Sequence, residues 1–423
     1  MKLTLAHYHI RNVKFDKRTE IKDEVLFINH DELKSLLLND KNFSNIEIEI
    51  THPGEMARII NVLDIVDPRK KVSEDSEVFP GWIGKLGLVG LGKTNVLRNV
   101  SIIETGSMDG FFGGIIDMGG MGSQYFPYSR THNIILAPTS AKGVHPTHYA
   151  KSLKKASLKT SVYLGETTLN LHPDEMMTFD FARGRKKSIG KRLPRVGYIW
   201  QVLSHYKLRD IFYYGATSNN FFPLLISPNE IFDGAVVSGN YNHSAALKNY
   251  TYSILNHPIV MELCGRHGKE LDFGGIIFSN EPVTVEEKEW NASMNAQIAK
   301  SILHLDGVIV TKEGGGHTDF DLMETCKQCE KLGIKTAMID IEMLDPGGEG
   351  DYPLVVFEPE ADAIVSLGNV EERVDISKME KVIGGKNMKE LGEDPKRENN
   401  VPVWLLAGAM SEIGLSKMRG QLF

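Results

Sequence analysis

The run Glu313-Gly314-Gly315-Gly316-His317-Thr318-Asp319 gathers two carboxylates, an imidazole and three consecutive glycines. It follows the apolar stretch Gly307-Val308-Ile309-Val310 and precedes a helical pattern from Phe320 to Lys331, which predicts a buried strand, a loop and a helix. Ligands of open α/β sheets collect at the carboxyl ends of strands, and glycines let the backbone come close to them. A helix N-terminus also favours anions such as a substrate carboxylate. Glu313, His317 and Asp319 are therefore candidate catalytic residues. His317 would shuttle protons, oriented by Glu313 or Asp319, and Gly314, Gly315 and Gly316 would bind substrate. The same residues also read as a flexible turn with Thr318 or Asp319 as an ordinary N-cap. No Gly-Lys-Ser/Thr ending marks this loop as a phosphate-binding one.

A second concentration is Ser238-Gly239-Asn240-Tyr241-Asn242-His243-Ser244, after a long apolar stretch from Phe221 to Val237, so it caps a buried strand. His243 beside Ser244 is a hydroxyl with a neighbouring base, and equally a turn serine beside a surface histidine. Cys326 and Cys329 lie over one turn of the predicted helix, away from the N-terminal position that lowers a thiol's pKa. No second Cys/His pair at zinc spacing follows, so they read as reduced packing residues. Cys264 reads as structural.

Short motifs run in order along nearly the whole chain. They include His52-Pro53-Gly54-Glu55-Met56-Ala57-Arg58-Ile59, Val78-Phe79-Pro80-Gly81, Glu104-Thr105-Gly106, Tyr125-Phe126-Pro127-Tyr128-Ser129, Asp233-Gly234-Ala235-Val236-Val237-Ser238-Gly239-Asn240 and Arg266-His267-Gly268-Lys269-Glu270. Together they resemble the component B alpha/beta-subunit proprotein of the glycine, sarcosine and betaine reductases. In that family a cysteine after Ser-Gly-Asn is the self-cleavage site and becomes a pyruvoyl group; here that position is Tyr241. A pyruvoyl group needs a β-heteroatom that attacks the preceding carbonyl and then leaves by elimination. The tyrosine oxygen lies beyond an aromatic ring and can do neither. The resemblance thus implies a divergent member that stays in one piece, with no cofactor. It places Asn240, Tyr241, His243 and Ser244 among the candidate catalytic residues and His267 among the substrate-binding ones. It further implies a small amine or amino acid as substrate and a gamma-type partner subunit whose selenocysteine or cysteine cleaves the C–N bond. A non-catalytic scaffold or regulatory paralogue is the alternative.

These groups need elements to hold them. With 423 residues the chain is long enough for two or three domains. From residue 1 to 130 it reads as short strands punctuated by glycine, a β-rich N-terminal domain with Val25–Asn29, Ile46–Ile50 and a helix from His30 to Leu38 capped by Asn29. From 131 to 423 strand and helix alternate: Ile134–Ala137, a helix near His148 to Leu158, strand Ser161–Leu164, Gly274–Phe278, a helix from Glu286 to Leu303, Lys335–Ile339 and strand Val401–Leu406. The predicted fold class is α/β: parallel α/β (Rossmann-like) layers after the β-rich part, with a sub-domain break near 240–270. The small residues of Ala407–Gly414 point to close helix packing or subunit contact, so an oligomer is expected. Lys+Arg 48 against Asp+Glu 55 leaves −7, dispersed, which excludes a nucleic-acid footprint. The basic run from Arg183 to Arg195 reads as a solvated loop. The start of the chain turns polar before a signal-peptide core develops, no apolar run reaches membrane length, and three cysteines form no disulfide framework. A cytoplasmic protein is expected, with no membrane and no nucleic-acid partner. His145–His148 reads as capping, and Glu55 with Arg58 as a structural ion pair.

Overall fold

The computed structural model describes residues 2–72, 77–84, 86–180, 193–205, 207–219, 221–344, 354, 356–385 and 387–416; most of the basic run from Arg183 lies outside them. The architecture is mixed α/β, with parallel and antiparallel pairings in several sheets. In the N-terminal half, one sheet orders the strands Gly114–Asp117, Ala57–Val66, Val100–Thr105, His132–Ser140 and Phe43–Thr51. Every residue of Ala57–Val66 is buried, because both of its faces are covered. Strands Lys381–Ile383 and Glu175–Asp180, from beyond residue 130, complete the N-terminal sheets. The helix His30–Leu38 starts where expected, with the Asn29 side chain accepting the Glu32 N–H at 3.1 Å.

Four expectations need correction. Ser161–Leu164 is not a strand: the helix runs unbroken over Pro146–Gly165. Thr160 and Val162 are β-branched and read as strand formers, but Leu153, Ala156, Ser157, Thr160, Ser161 and Leu164 are buried at helical spacing. Val401–Leu406 is a strand only to Pro402 and then a 3₁₀ turn. Ala407–Gly414 forms no helix; Ala407 donates its N–H to the Ile115 carbonyl at 3.0 Å and lines the first sheet. Arg58 pairs with Asp117 at 2.6 Å rather than with Glu55, which accepts the His52 N–H.

The second large sheet positions the glycine loop. Its order is Leu224–Ile226, Asp272–Asn280, Arg195–Val202, Gly307–Thr311, Lys335–Glu342, Ile364–Asn369. All its neighbours pair in parallel except the first edge strand. Chain order reverses between Arg195–Val202 and Gly307–Thr311, the kind of switch point where open parallel sheets bind ligands beyond their carboxyl ends. Buried Cys326 and Cys329 on the helix His317–Lys331 pack into the core beneath this sheet.

Candidate functional site

The switch point is crowded with ionisable groups, each following the end of a strand. Glu281 follows Asp272–Asn280, His205 follows Arg195–Val202, and Lys312, Glu313 and the glycines follow Gly307–Thr311. Glu313 is fully buried, and its carboxylate accepts the Asn249 N–H at 2.8 Å, the Leu203 N–H at 3.2 Å and Asn240 Nδ2 at 3.3 Å. Burial raises its pKa to about 7 against those three donors. Its own N–H donates to Glu281 Oε1 at 2.8 Å. Burial, and then Asp321, hold the Glu281 carboxyl well above the usual range. Lys312 is buried among Glu412 at 2.8 Å, Asp340 at 2.9 Å and Asp319 at 3.0 Å, which pins the loop from below.

His317 begins its helix on the exposed rim of this cluster. Its ring centroid lies 5.2 Å from that of His205, and Lys288 Nζ, itself paired with Asp321, contacts its Nδ1 at 3.2 Å. Partial burial and the Lys288 ammonium lower the His317 pKa; burial brings His205 to about 4. Neutral imidazoles beside a lysine can accept or pass a proton. Neither Glu313 nor Asp319 orients His317: the first holds the 240–249 segment and the second pairs with Lys312.

The Ser238–Ser244 segment divides two environments. Asn240 reaches Glu313, and His243 lies against the loop, where a Cβ on Gly314 would sit 2.7 Å from its Nε2. Burial takes His243 to about 3. Tyr241 faces the other way. Its phenol donates to Glu104, which also accepts from Ser157 Oγ at 2.7 Å and Lys154 Nζ at 3.1 Å, and Lys154 pairs with Asp64. All of these side chains are buried, and burial raises the Glu104 pKa despite Lys154. Tyr241 also forms part of the wall of a cavity of about 190 Å³ with Gly239, Lys154, Phe212 and Trp82, and Lys151 and Lys207 at its exposed rim. Ser244 is turned away, its hydroxyl donating to the Trp404 carbonyl at 3.0 Å.

The structure thus brings Asn240, His243, Glu313, Gly314 and His317 together and puts Tyr241 on the far side of its own segment. His267 is elsewhere. It caps the start of Asp272–Asn280, its Nδ1 accepting the Phe273 N–H at 3.0 Å, at the opposite end of the parallel strands from the glycines. Sequence reading missed Asp64, Glu104, Lys154, Lys248, Lys288 and Glu281. The one signal was Lys154, a lysine on the buried face of its helix, and such a lysine must be paired. His145 caps its helix as expected, accepting the Thr147 N–H. Among the described residues no His/Cys/Asp/Glu group suits a metal ion, and no helix is long and apolar enough to cross a membrane.

These features sit on a scaffold with known relatives. A family model described as glycine/sarcosine/betaine reductase component B subunits matches residues 1–394, and the chain belongs to this family. It is 35% identical over 434 residues to the glycine reductase complex component B subunits alpha and beta of Acetoanaerobium sticklandii, covering 100% of both chains. It is 34% identical over 387 residues to the sarcosine reductase complex component B subunit alpha of Peptoclostridium acidaminophilum, covering 91% of this chain and 89% of that one. The betaine reductase complex component B subunit alpha of the same organism is 34% identical over 395 residues, with 91% and 88% covered. No solved structure matches the chain.

Proposed function

We propose that this chain is a component B alpha/beta-type subunit that binds a small amine or amino acid and works without a pyruvoyl group. A gamma-type partner subunit would bring the selenocysteine or cysteine that cleaves the C–N bond. The observation carrying this reading is the cavity walled by Tyr241 itself, where the family's electrophile would stand. Residue 241 does not fit that electrophile. Its oxygen is on the ring, not on Cβ, and is engaged by Glu104. What the cavity offers instead is non-covalent. Lys151 and Lys207 at the rim suit a carboxylate, Asp210 suits an ammonium, and Trp82 with Phe212, rings 4.8 Å apart, supply an apolar wall. A cytoplasmic, oligomeric subunit accords with this reading.

The test combines intact mass, phenylhydrazine labelling and tryptophan-fluorescence titration with glycine, sarcosine and betaine. The expected result is one unbroken chain, no hydrazone, and saturable binding weakened by Lys151→Ala. Two fragments split near residue 240, or a hydrazone at a new blocked N-terminus, would overturn the pyruvoyl-free reading. The second reading is a non-catalytic scaffold or regulatory paralogue, favoured by the donors that already fill the Glu313 carboxylate. In a reconstituted complex, lost turnover with intact assembly in His317→Ala supports the enzyme; unchanged turnover supports the scaffold.

A further inference from the structure

The six-stranded sheet is covered unevenly. On one face the helices Val285–Gln297 and His317–Lys331 bury Ile199, Ile277, Val308, Val310 and Met338 in one core cluster. The other face is closed toward the carboxyl ends of the strands, where Tyr198, Trp200, Ile339 and Ile341 belong to the main core. Toward the amino ends it opens. Ile309 pairs in register with Tyr198 and with Ala337, so all three share this face, yet Ile309 and Val196 are only half-buried and Ala337 is exposed. Parallel strands ordinarily have both faces covered, and apolar surface left open marks a contact. Beside it lies the helix Pro258–Arg266. Its Pro258, Ile259 and Leu263 face Val196 and Ile309 across a groove of about 500 Å³, closed at one end by Leu271. Glu262 and Arg266, both exposed, stand at its rim.

We infer that this groove is the contact between two copies of the chain, related by a two-fold axis. The inference goes beyond the amine-binding reading and does not depend on it. The rim argues for a second copy as the occupant. Arg266 stands between two acids, four residues from each: its Nε is 2.6 Å from Glu262 and its Nη1 2.8 Å from Glu270. A two-fold axis lays this acid–base–acid row against its own reverse, so each Arg266 meets carboxylates of the other copy. A row of one sign would repel itself. Gly265, exposed beside Glu262, has no atom within 4 Å of the place a Cβ would take, so two such helices can approach closely there. The contact also gives a role to Arg266-His267-Gly268-Lys269-Glu270, a motif with no part in the amine-binding reading; His267 holds this turn against the strand through the Phe273 N–H. The groove lies at the amino ends of the strands, so the contact leaves the glycine loop at their carboxyl ends free for substrate and for an unlike subunit. The tail Ala407–Gly414, by contrast, is mostly buried within its own chain.

Analytical ultracentrifugation of the full-length protein tests the contact. The expected result is a monomer–dimer equilibrium that Glu262→Lys and Arg266→Glu each weaken at least about tenfold, because each sets like charges against one another across the axis. Mixing the two variants should restore the dimer, since each then supplies the charge the other lacks. Both positions are exposed, and circular dichroism checks the fold of each variant. The inference is overturned if the wild-type protein stays monomeric, if both variants dimerise as wild type does, or if the mixture stays apart. A monomer that binds a gamma-type subunit through Glu262 and Arg266 would give the groove to that partner and overturn the second copy as well. Should a variant fail to fold, hydrogen exchange of the wild-type protein decides: amides of Ile259–Arg266 should exchange more slowly above the dimer midpoint than below it, and an unchanged rate overturns the inference.

Discussion

Glu313→Gln is expected to change stability by an amount that depends strongly on pH, and to lose its penalty near neutrality. The substitution keeps one acceptor oxygen for the Asn249 N–H and Asn240 Nδ2, and turns an NH₂ toward the Leu203 N–H. Two donors then face each other in a buried site, which costs about 1–3 kcal/mol. The wild-type carboxyl carries an opposing cost. Its folded-state pKa is about 7 against an ordinary 4.5. Below 4.5 the group is protonated in both states and contributes no pH dependence. Between 4.5 and 7 the unfolded chain ionises while the folded one does not, so wild-type stability falls as pH rises. Above 7 both are ionised and the loss levels off at about 3 kcal/mol. Glutamine has no such term. The variant should therefore be less stable than wild type in mild acid and equal or more stable above pH 7. Urea unfolding followed by tryptophan fluorescence between pH 5 and 8 measures the difference, in which every other titrating group cancels. A penalty that stays constant across that range would refute the reasoning.

Tyr241→Phe removes the phenol donor from a buried carboxyl and should cost about 1–3 kcal/mol in the same urea assay, with the chain still migrating as one piece. Gly314→Ala and Gly316→Ala both place a side chain at positive φ, +92° and +88°, at about 1 kcal/mol or more each; only the first also drives a Cβ to 2.7 Å from His243 Nε2. Gly314→Ala should therefore be the more destabilising of the two by thermal melting. Buried His243 and His257 stay neutral down to about pH 3 in the folded protein but charge near 6.5 when unfolded, so their contribution is complete above 6.5 and is lost as pH falls. His243→Asn should flatten the acid limb of the stability curve. Burial pushes the Cys326 and Cys329 thiols up to about 11 and about 12, so a chromogenic disulfide reagent at pH 8 should find them slow until the protein is unfolded.

Local signals carried the elements whose burial and propensity agree. Val25–Asn29 and the helix after it were readable to the residue, because alternation, an Asn cap and a following Glu coincide. Ser161–Leu164 misread because β-branched residues spoke for a strand, while the packing of Pro146–Gly165 against Arg69 imposes helix; a Cβ on Gly165 would lie 2.5 Å from the Arg69 backbone. The glycine loop was visible as a candidate because its residues adjoin in sequence. The charges beneath Tyr241 were not. Asp64, Glu104 and Lys154 come from two strands and a helix, and nothing in a sequence records that three such side chains share one buried point.

That buried point bears on what a tyrosine at 241 does to its neighbours. Residues 240 and 243 engage the glycine loop while the side chain at 241 turns to the other face. Tyr241 fills its side of the wall with a ring, and its hydroxyl supplies Glu104 with a donor beside those of Ser157 and Lys154. A carboxyl that desolvation pushes up is stabilised by each added donor. Tyrosine there does more than occupy space, and phenylalanine, which fills the same volume, is the variant that separates the two contributions. Glu313 on the other face also has three donors, but none of them carries a charge. It titrates near neutrality at a standing cost to the fold, which is the condition in which functional carboxyls are commonly found. If the stability gained by Glu313→Gln above pH 7 comes with loss of turnover in the reconstituted complex, the carboxyl serves the reaction; a more stable variant of undiminished activity would make Glu313 a strut.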